Sequence, residues 1–95
     1  EMKYEILFIV RPDLEEKAIN EVAENLEKVL VDNGAKVLSS KSLGQKELAY
    51  EIKKHKSGYY FLINVESDVK AINEFDRVAL INESVVRHLI VKLDK

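Results

Sequence analysis

The sequence predicts an α+β fold in which six elements follow one another in the order βαββαβ. Residues 3–10 and 58–66 are rich in β-branched and aromatic residues and alternate with the period of a strand. Residues 13–32 and 67–81 instead carry apolar residues at helical intervals. This order predicts a ferredoxin-like split sandwich: a four-stranded antiparallel sheet with two helices on one face. A chain of 95 residues has room for one such domain, which we assign to residues 2–93.

The first strand has two apolar faces. Alternate residues from Tyr4 to Val10 form one face, while Leu7 and Ile9 make the opposite face apolar as well. Pro12 ends the strand because it has no N–H to donate. A strand with two apolar faces is typically central in its sheet, with its second face either covered or kept for a partner.

The first helix is predicted to begin after Asp13, whose carboxylate would accept hydrogen bonds from the first turn. Glu16 stands at the capping-box position, which supports this start. Asn33 and Gly34 are expected to end the helix, since glycine readily adopts the left-handed conformation found there.

A long hairpin is predicted to follow. Residues 36–52 alternate weakly, and Gly44 in their middle indicates a β-bulge. Residues 53–58 read as a polar turn, and Gly58 opens the next strand.

The second helix is predicted to begin at a cap formed by Ser67 and Asp68, and residues 85–91 form the last strand. The residues of this helix expected to face the core are Val69, Ile72, Phe75, Ala79 and Val78.

The topology leaves one face of the sheet without helices. A solvated sheet does not need large apolar side chains there, so we interpret this face as a surface for a protein partner. By strand parity the expected partner-binding residues are Leu7, Ile9, Tyr60, Leu62, Leu89 and Val91.

The charge is unevenly distributed although the net charge is only −2. Residues 13–32 hold seven acids against two lysines, a net of −5, while residues 36–56 hold six lysines against two glutamates, a net of +4. A local basic surface can attract an anionic partner, but charge alone favours lysines that solvate a long hairpin and protect its edge from aggregation.

No catalytic constellation is present in the sequence. There is no cysteine to act as a nucleophile or metal ligand, and the three glycines are too far apart for a phosphate loop. His55 and His88 lack a neighbouring acid or nucleophile in the pattern, so we interpret His88 as structural. We therefore expect no enzyme, no metal, no cofactor and no small-molecule substrate. The longest apolar run, residues 6–10, predicts no membrane segment, and the lack of cysteine is typical of the cytoplasm.

The most specific pattern is GQKELAYEIK at residues 44–53. It resembles the signature of the bacterial small-subunit ribosomal protein six family: Gly, any residue, a basic and a polar residue, then Leu-Ala-Tyr, any residue, an aliphatic and a polar residue. Other segments resemble the family in the same order along the chain, namely residues 3–6, 11–14, 33–35, 58–60 and 86–92.

The resemblance implies a ferredoxin-like fold and a structural role in the ribosome. Members of this family pair with small-subunit ribosomal protein eighteen and bind the central domain of the small-subunit rRNA. The resemblance therefore implies a protein partner for the apolar face and an RNA partner for the basic surface.

We expect lysine and arginine side chains to contact RNA phosphates, with few contacts to base edges. Tyr4 and Tyr50 could equally pack within the protein, because a tyrosine readily buries its ring. Glu47 departs from many members, which carry a second basic residue there, and should weaken RNA binding by the free protein. The expected RNA-binding residues are Lys3, Tyr4, Lys46, Tyr50, Lys53, Lys54, Lys56, Arg87 and Lys92.

Two alternatives remain open from the residues alone. A ferredoxin-like interaction or regulatory module that self-associates through its open sheet face would show the same apolar residues. An acyl-phosphate hydrolase on this fold would need an anion-cradling loop with an arginine. Because Pro12 follows Arg11 without a glycine-rich loop, we rank the hydrolase last.

Overall fold

The computed structural model describes residues 2–52 and 54–93 and has the predicted order of elements. These are β1 (Met2–Val10), α1 (Glu16–Asp32), β2 (Lys36–Ile52), β3 (His55–Ser67), α2 (Val69–Ile81) and β4 (Val85–Leu93). The strands form one antiparallel sheet in the spatial order β2-β3-β1-β4, so the first strand is central. Both helices pack on one face of the sheet, which confirms the ferredoxin-like fold.

Phe8 lies at the centre of the core, between the sheet and the helices. Its ring stacks on Phe61 of β3, with the ring centroids 5.3 Å apart, and meets Phe75 of α2 at 6.2 Å. The alternation of β1 predicted this arrangement, and all four residues of its predicted inner face are buried. Other fully buried side chains are Ile6, Val10, Leu26, Leu30, Ile63 and Val65.

The first helix starts later than predicted. α1 begins at Glu16 with Glu15 as its N-cap residue, and the Glu15 side chain makes no capping hydrogen bond. The Arg11 guanidinium instead donates two hydrogen bonds to the Asp13 carboxylate, at 2.7 and 2.9 Å. These hydrogen bonds lower the pKa of Asp13 from its ordinary value. The prediction that Asp13 caps the helix was wrong because a charged guanidinium outcompetes backbone N–H groups for the same oxygens.

The first helix ends as predicted, at Asn33 and Gly34. The N–H of Gly34 donates to the carbonyl of Val31 at 3.0 Å, and the N–H of Ala35 donates to the carbonyl of Leu30 at 2.9 Å. This pair of hydrogen bonds is a Schellman motif. It places Gly34 at a φ of 96°, where a side chain would be strained.

The second helix also begins as predicted, at a capping aspartate. A carboxylate oxygen of Asp68 accepts a hydrogen bond from the backbone N–H of Ala71 at 3.2 Å. The prediction that Val69 faces the core was wrong, since it is 59% exposed. The buried face of α2 is centred between Ala71 and Ile72, and Val69 lies about 110° from that centre at ~100° per residue.

The β2–β3 hairpin projects beyond the rest of the sheet. β1 pairs with β3 only as far as Val10, which stands opposite Tyr59, whereas β3 starts at His55. The prediction that Gly58 opens this strand and that a polar turn precedes it was therefore wrong. Residues 55–58 are strand because they find partners in the extended β2.

We call this projection the arm and define it as residues 45–52 and 54–58. Two glycines lie at its base. Gly44, at a φ of 84°, sits where the β2–β3 register shifts, which confirms the predicted bulge. Gly58 lies on the other strand, opposite Lys46.

Gly58 has no room for a side chain. A Cβ atom at this position would lie 2.3 Å from Cγ2 of Ile9 and 3.3 Å from the carbonyl oxygen of Val10. We expect Gly58→Ala to lower the free energy of unfolding by about 1–3 kcal/mol, measured by urea denaturation. Ile9→Ala removes the clashing methyl group. In a protein that carries Ile9→Ala, Gly58→Ala should therefore lower the free energy of unfolding by less. An equal cost in both backgrounds would contradict the steric explanation.

Candidate protein and nucleic-acid interface

An apolar row crosses the face of the sheet that carries no helices. Leu7 on β1 stands opposite Leu62 on β3 and opposite Leu89 on β4, so three leucines align across three strands. We call these residues the leucine row. Leu89 is 54% exposed, and Val91 beside it on the same face is 41% exposed. Strand parity predicted these four positions on the open face.

The arm covers one end of the open face, which the sequence did not predict. Near its tip Glu47 stands opposite Ser57 and Ile52 opposite His55, so residues 48–51 form a wide bulge against a single residue of β3. The bulge contains the Leu-Ala-Tyr sequence of the signature. A groove of about 280 Å³ separates the arm from the sheet, and on the arm side it is lined by Leu48, Ala49, Tyr50 and Ile52.

The covered end of the open face differs from the prediction. Ile9 is only 6% exposed, so it is not open to a partner while the arm is in this position, where arm residues line the groove above it. Tyr60 is half-buried, with the ammonium of Lys46 5.9 Å from its ring centroid. Across the groove, the Arg87 guanidinium donates a hydrogen bond to the Tyr50 hydroxyl at 3.0 Å.

Five of the nine predicted RNA-binding residues lie at the end of the sheet that carries the arm. The residues at this end are exposed: Tyr50 and Arg87 line the groove, Lys54 and Lys56 lie near the tip of the arm, and Lys46 lies at its base. Lys53, predicted for the same set, lies outside the described residues. The gathered residues are Lys46, Tyr50, Lys54, Lys56 and Arg87.

Three predicted RNA-binding residues lie at the opposite end of the sheet. Lys3 lies seven residues before Val10 on β1, which separates it from the arm's base by about 23 Å along the strand. Lys92 is exposed and stands opposite Tyr4, on the side of the sheet that carries the helices. Tyr4 is 6% exposed and belongs to the core, so its ring cannot stack on RNA and we remove it from the set. Tyr4 shares its strand parity with the other inner-face residues of β1, and this pattern already indicated that it is buried.

His88 connects the last strand to the second helix. Its Nε2 atom lies 2.7 Å from a carboxylate oxygen of Asp76, and its ring packs edge-on against Phe75 with the centroids 6.3 Å apart. This contact fits the predicted structural role. The premise that no acid lies beside His88 was wrong, because packing of α2 on β4 brings Asp76 there. Within residues 2–52 and 54–93, no three histidine or acidic side chains converge as a metal site would require.

A protein-family model described as ribosomal protein S6 matches residues 3–92, which is nearly the whole chain. The chain belongs to the ribosomal protein S6 family. This match confirms the resemblance drawn from residues 44–53. S6 proteins are structural, non-enzymatic components of the small ribosomal subunit.

The S6 architecture also appears in a solved structure that resembles this chain. The crystal structure of 30S ribosomal protein S6 from Thermotoga maritima superposes with a TM-score of 0.94 and 24% sequence identity. The match covers 98% of this chain and 88% of that one. At this identity the likeness shows the fold, including the arrangement of sheet and helices. Neither helix in the described part of this S6 chain is long and apolar enough to cross a bilayer.

Proposed function

We propose that this S6 family member binds the central domain of the small-subunit rRNA together with small-subunit ribosomal protein eighteen. The observation that carries the proposal is the leucine row, where Leu89 and the neighbouring Val91 are exposed, next to the lysines of the arm. Exposed apolar surface of this kind is typical of a protein interface, and clustered lysines suit an RNA backbone.

The two kinds of surface divide the proposed roles. The leucine row has exposed apolar area and would bury it against protein eighteen, with Tyr60 and Val91 at its margins. The basic residues of the arm and Arg87 would contact RNA phosphates, which position an RNA without reading its sequence. Lys3 and Lys92 lie about 20–23 Å away along the strands, on opposite faces of the sheet, and would reach RNA backbone at that end. Lys53 remains a member of the RNA-binding set on its sequence position alone.

Co-purification tests the proposal. The chain is mixed with fragments of the rRNA central domain, with and without protein eighteen, and retention is measured at two salt concentrations. We expect retention only when protein eighteen is present, and less of it at the higher salt because phosphate contacts weaken with salt. A stable dimer that binds neither RNA nor protein eighteen would instead support self-association through the leucine row.

Glu47 offers a test of where RNA lies on the arm. It is exposed and lines a shallow depression together with Lys56, so its carboxylate would repel a phosphate bound there. We expect Glu47→Arg to strengthen RNA binding and to steepen the slope of log K against log salt by about one, as one added phosphate contact does. The control Glu24→Arg makes the same charge change on the exposed side of α1, and should leave the slope unchanged. Equal slopes for both variants would place residue 47 away from the RNA.

A further inference from the structure

We propose that the arm is a latch over the docking face. In the free protein it covers the end of the face at Ile9, the hydrogen bond between Tyr50 and Arg87 holds it there, and docking of an apolar protein surface lifts it. The inference deepens the proposed function and rests on it for the identity of the partner, protein eighteen.

The contacts that hold the arm closed are one side-chain hydrogen bond and the apolar side chains of Leu48 and Ile52, which are half-buried and line the groove. The hydrogen bond between the Arg87 guanidinium and the Tyr50 hydroxyl joins two exposed side chains. Tyr50 itself is 64% exposed, so its ring contributes little buried area to the closed state. The groove beneath the arm, about 280 Å³, is not filled by side chains. Segments with little buried apolar area open at low free-energy cost.

The base of the arm can act as a hinge. Gly44 stands at a positive φ, and no atom lies within 4 Å of the place where its Cβ would be, so the backbone has space to rotate. Gly58 is packed against Ile9 and would remain in place as the pivot. Both glycines lie inside strands, and the register shift at Gly44 is the irregularity of β2 that would absorb the rotation.

Opening would enlarge the surface that the leucine row presents. The sheet side of the groove is formed by Leu7, Ile9, Tyr60 and Leu89, so the covered patch is continuous with the row. Lifting the arm exposes Ile9, which is 6% exposed when the arm is closed. An apolar partner gains this additional contact only in the open state, and that differential affinity would shift the equilibrium.

Distances between spin labels test the latch in the free protein, without any partner. The chain has no cysteine, so Glu51→Cys on the arm and Ile81→Cys on α2 accept labels at two exposed positions. We expect Tyr50→Phe and Arg87→Met, each of which removes one end of the hydrogen bond, to raise the population of longer distances about three- to tenfold. The control Ser57→Ala removes a hydrogen bond to Gln45 within the arm and should leave the distances unchanged.

Titration with protein eighteen, in the absence of RNA, tests the coupling to docking. If closure competes with docking, Tyr50→Phe should bind about three- to tenfold more tightly, because a larger fraction of the protein is competent to bind. Unchanged label distances in both latch variants, or an opened arm with weaker binding, would overturn the inference. If protein eighteen binds no version of the chain, the proposed function fails, while the label distances still decide whether the arm is held by this hydrogen bond.

Discussion

Leu89→Asp is expected to lower the affinity for protein eighteen by about 30- to 1,000-fold, corresponding to roughly 2–4 kcal/mol of binding free energy. Leu89 is the most exposed member of the leucine row, so it is free to contact a partner. A carboxylate buried in an apolar interface loses its hydration, which is strongly unfavourable. Isothermal titration calorimetry with protein eighteen measures the effect.

The matched control for this prediction is Leu80→Asp. Leu80 is 72% exposed on α2, on the other side of the sheet, and undergoes the same change of residue type. Both variants should keep the free energy of unfolding within about 1 kcal/mol of the parent, since both leucines are exposed. Equal affinity of the two variants for protein eighteen would show that docking does not use the leucine row.

Phe75→Ala is expected to lower the free energy of unfolding by about 3–5 kcal/mol. The phenyl ring is fully buried and contacts both Phe8 and the ring of His88, so its loss opens a cavity between α2 and the sheet. A domain of this size has roughly 5–15 kcal/mol of stability in all, so the variant should melt tens of degrees lower. Thermal unfolding followed by circular dichroism measures this shift.

A conservative variant separates the cavity from other effects. Phe75→Leu keeps most of the buried volume and should cost less than half as much as Phe75→Ala. Leu80→Ala, which truncates an exposed side chain on the same helix, should change stability by no more than about 0.5 kcal/mol. A loss below 1 kcal/mol in Phe75→Ala would mean that the core rearranges around the missing ring.

The sequence predicted those parts of the fold that local patterns determine. The alternation of β1 identified its buried face, and the terminal signals at Gly34 and Asp68 located a helix end and a helix start. Local patterns gave wrong predictions where contacts with other parts of the chain decided the structure. The start of α1 moved because Arg11 pairs with the carboxylate of Asp13. The predicted orientation of Val69 was wrong because the buried face of α2 is decided by packing on the sheet.

The candidate site was predicted in part. Parity placed the leucine row on the open face, and the Leu-Ala-Tyr sequence identified the segment that forms the bulge. The position of that bulge over the sheet could not be predicted, because it depends on a contact between Tyr50 and Arg87, which are 37 residues apart. The position of the bulge also depends on four residues of β2 lying opposite one residue of β3. The two-residue period of a strand gives no signal for such an irregularity.

The central position of β1 has a consequence for synthesis on the ribosome. One of the two neighbours of β1 is β4, and Val10 pairs with Val85, which is synthesised 75 residues later. At about 5–20 residues per second, one edge of an apolar strand stays without its partner for roughly 4–15 s. Closure of the sheet is then limited by translation, so slowing elongation between β1 and β4 would lengthen the time in which the nascent chain is open to aggregation or to chaperones.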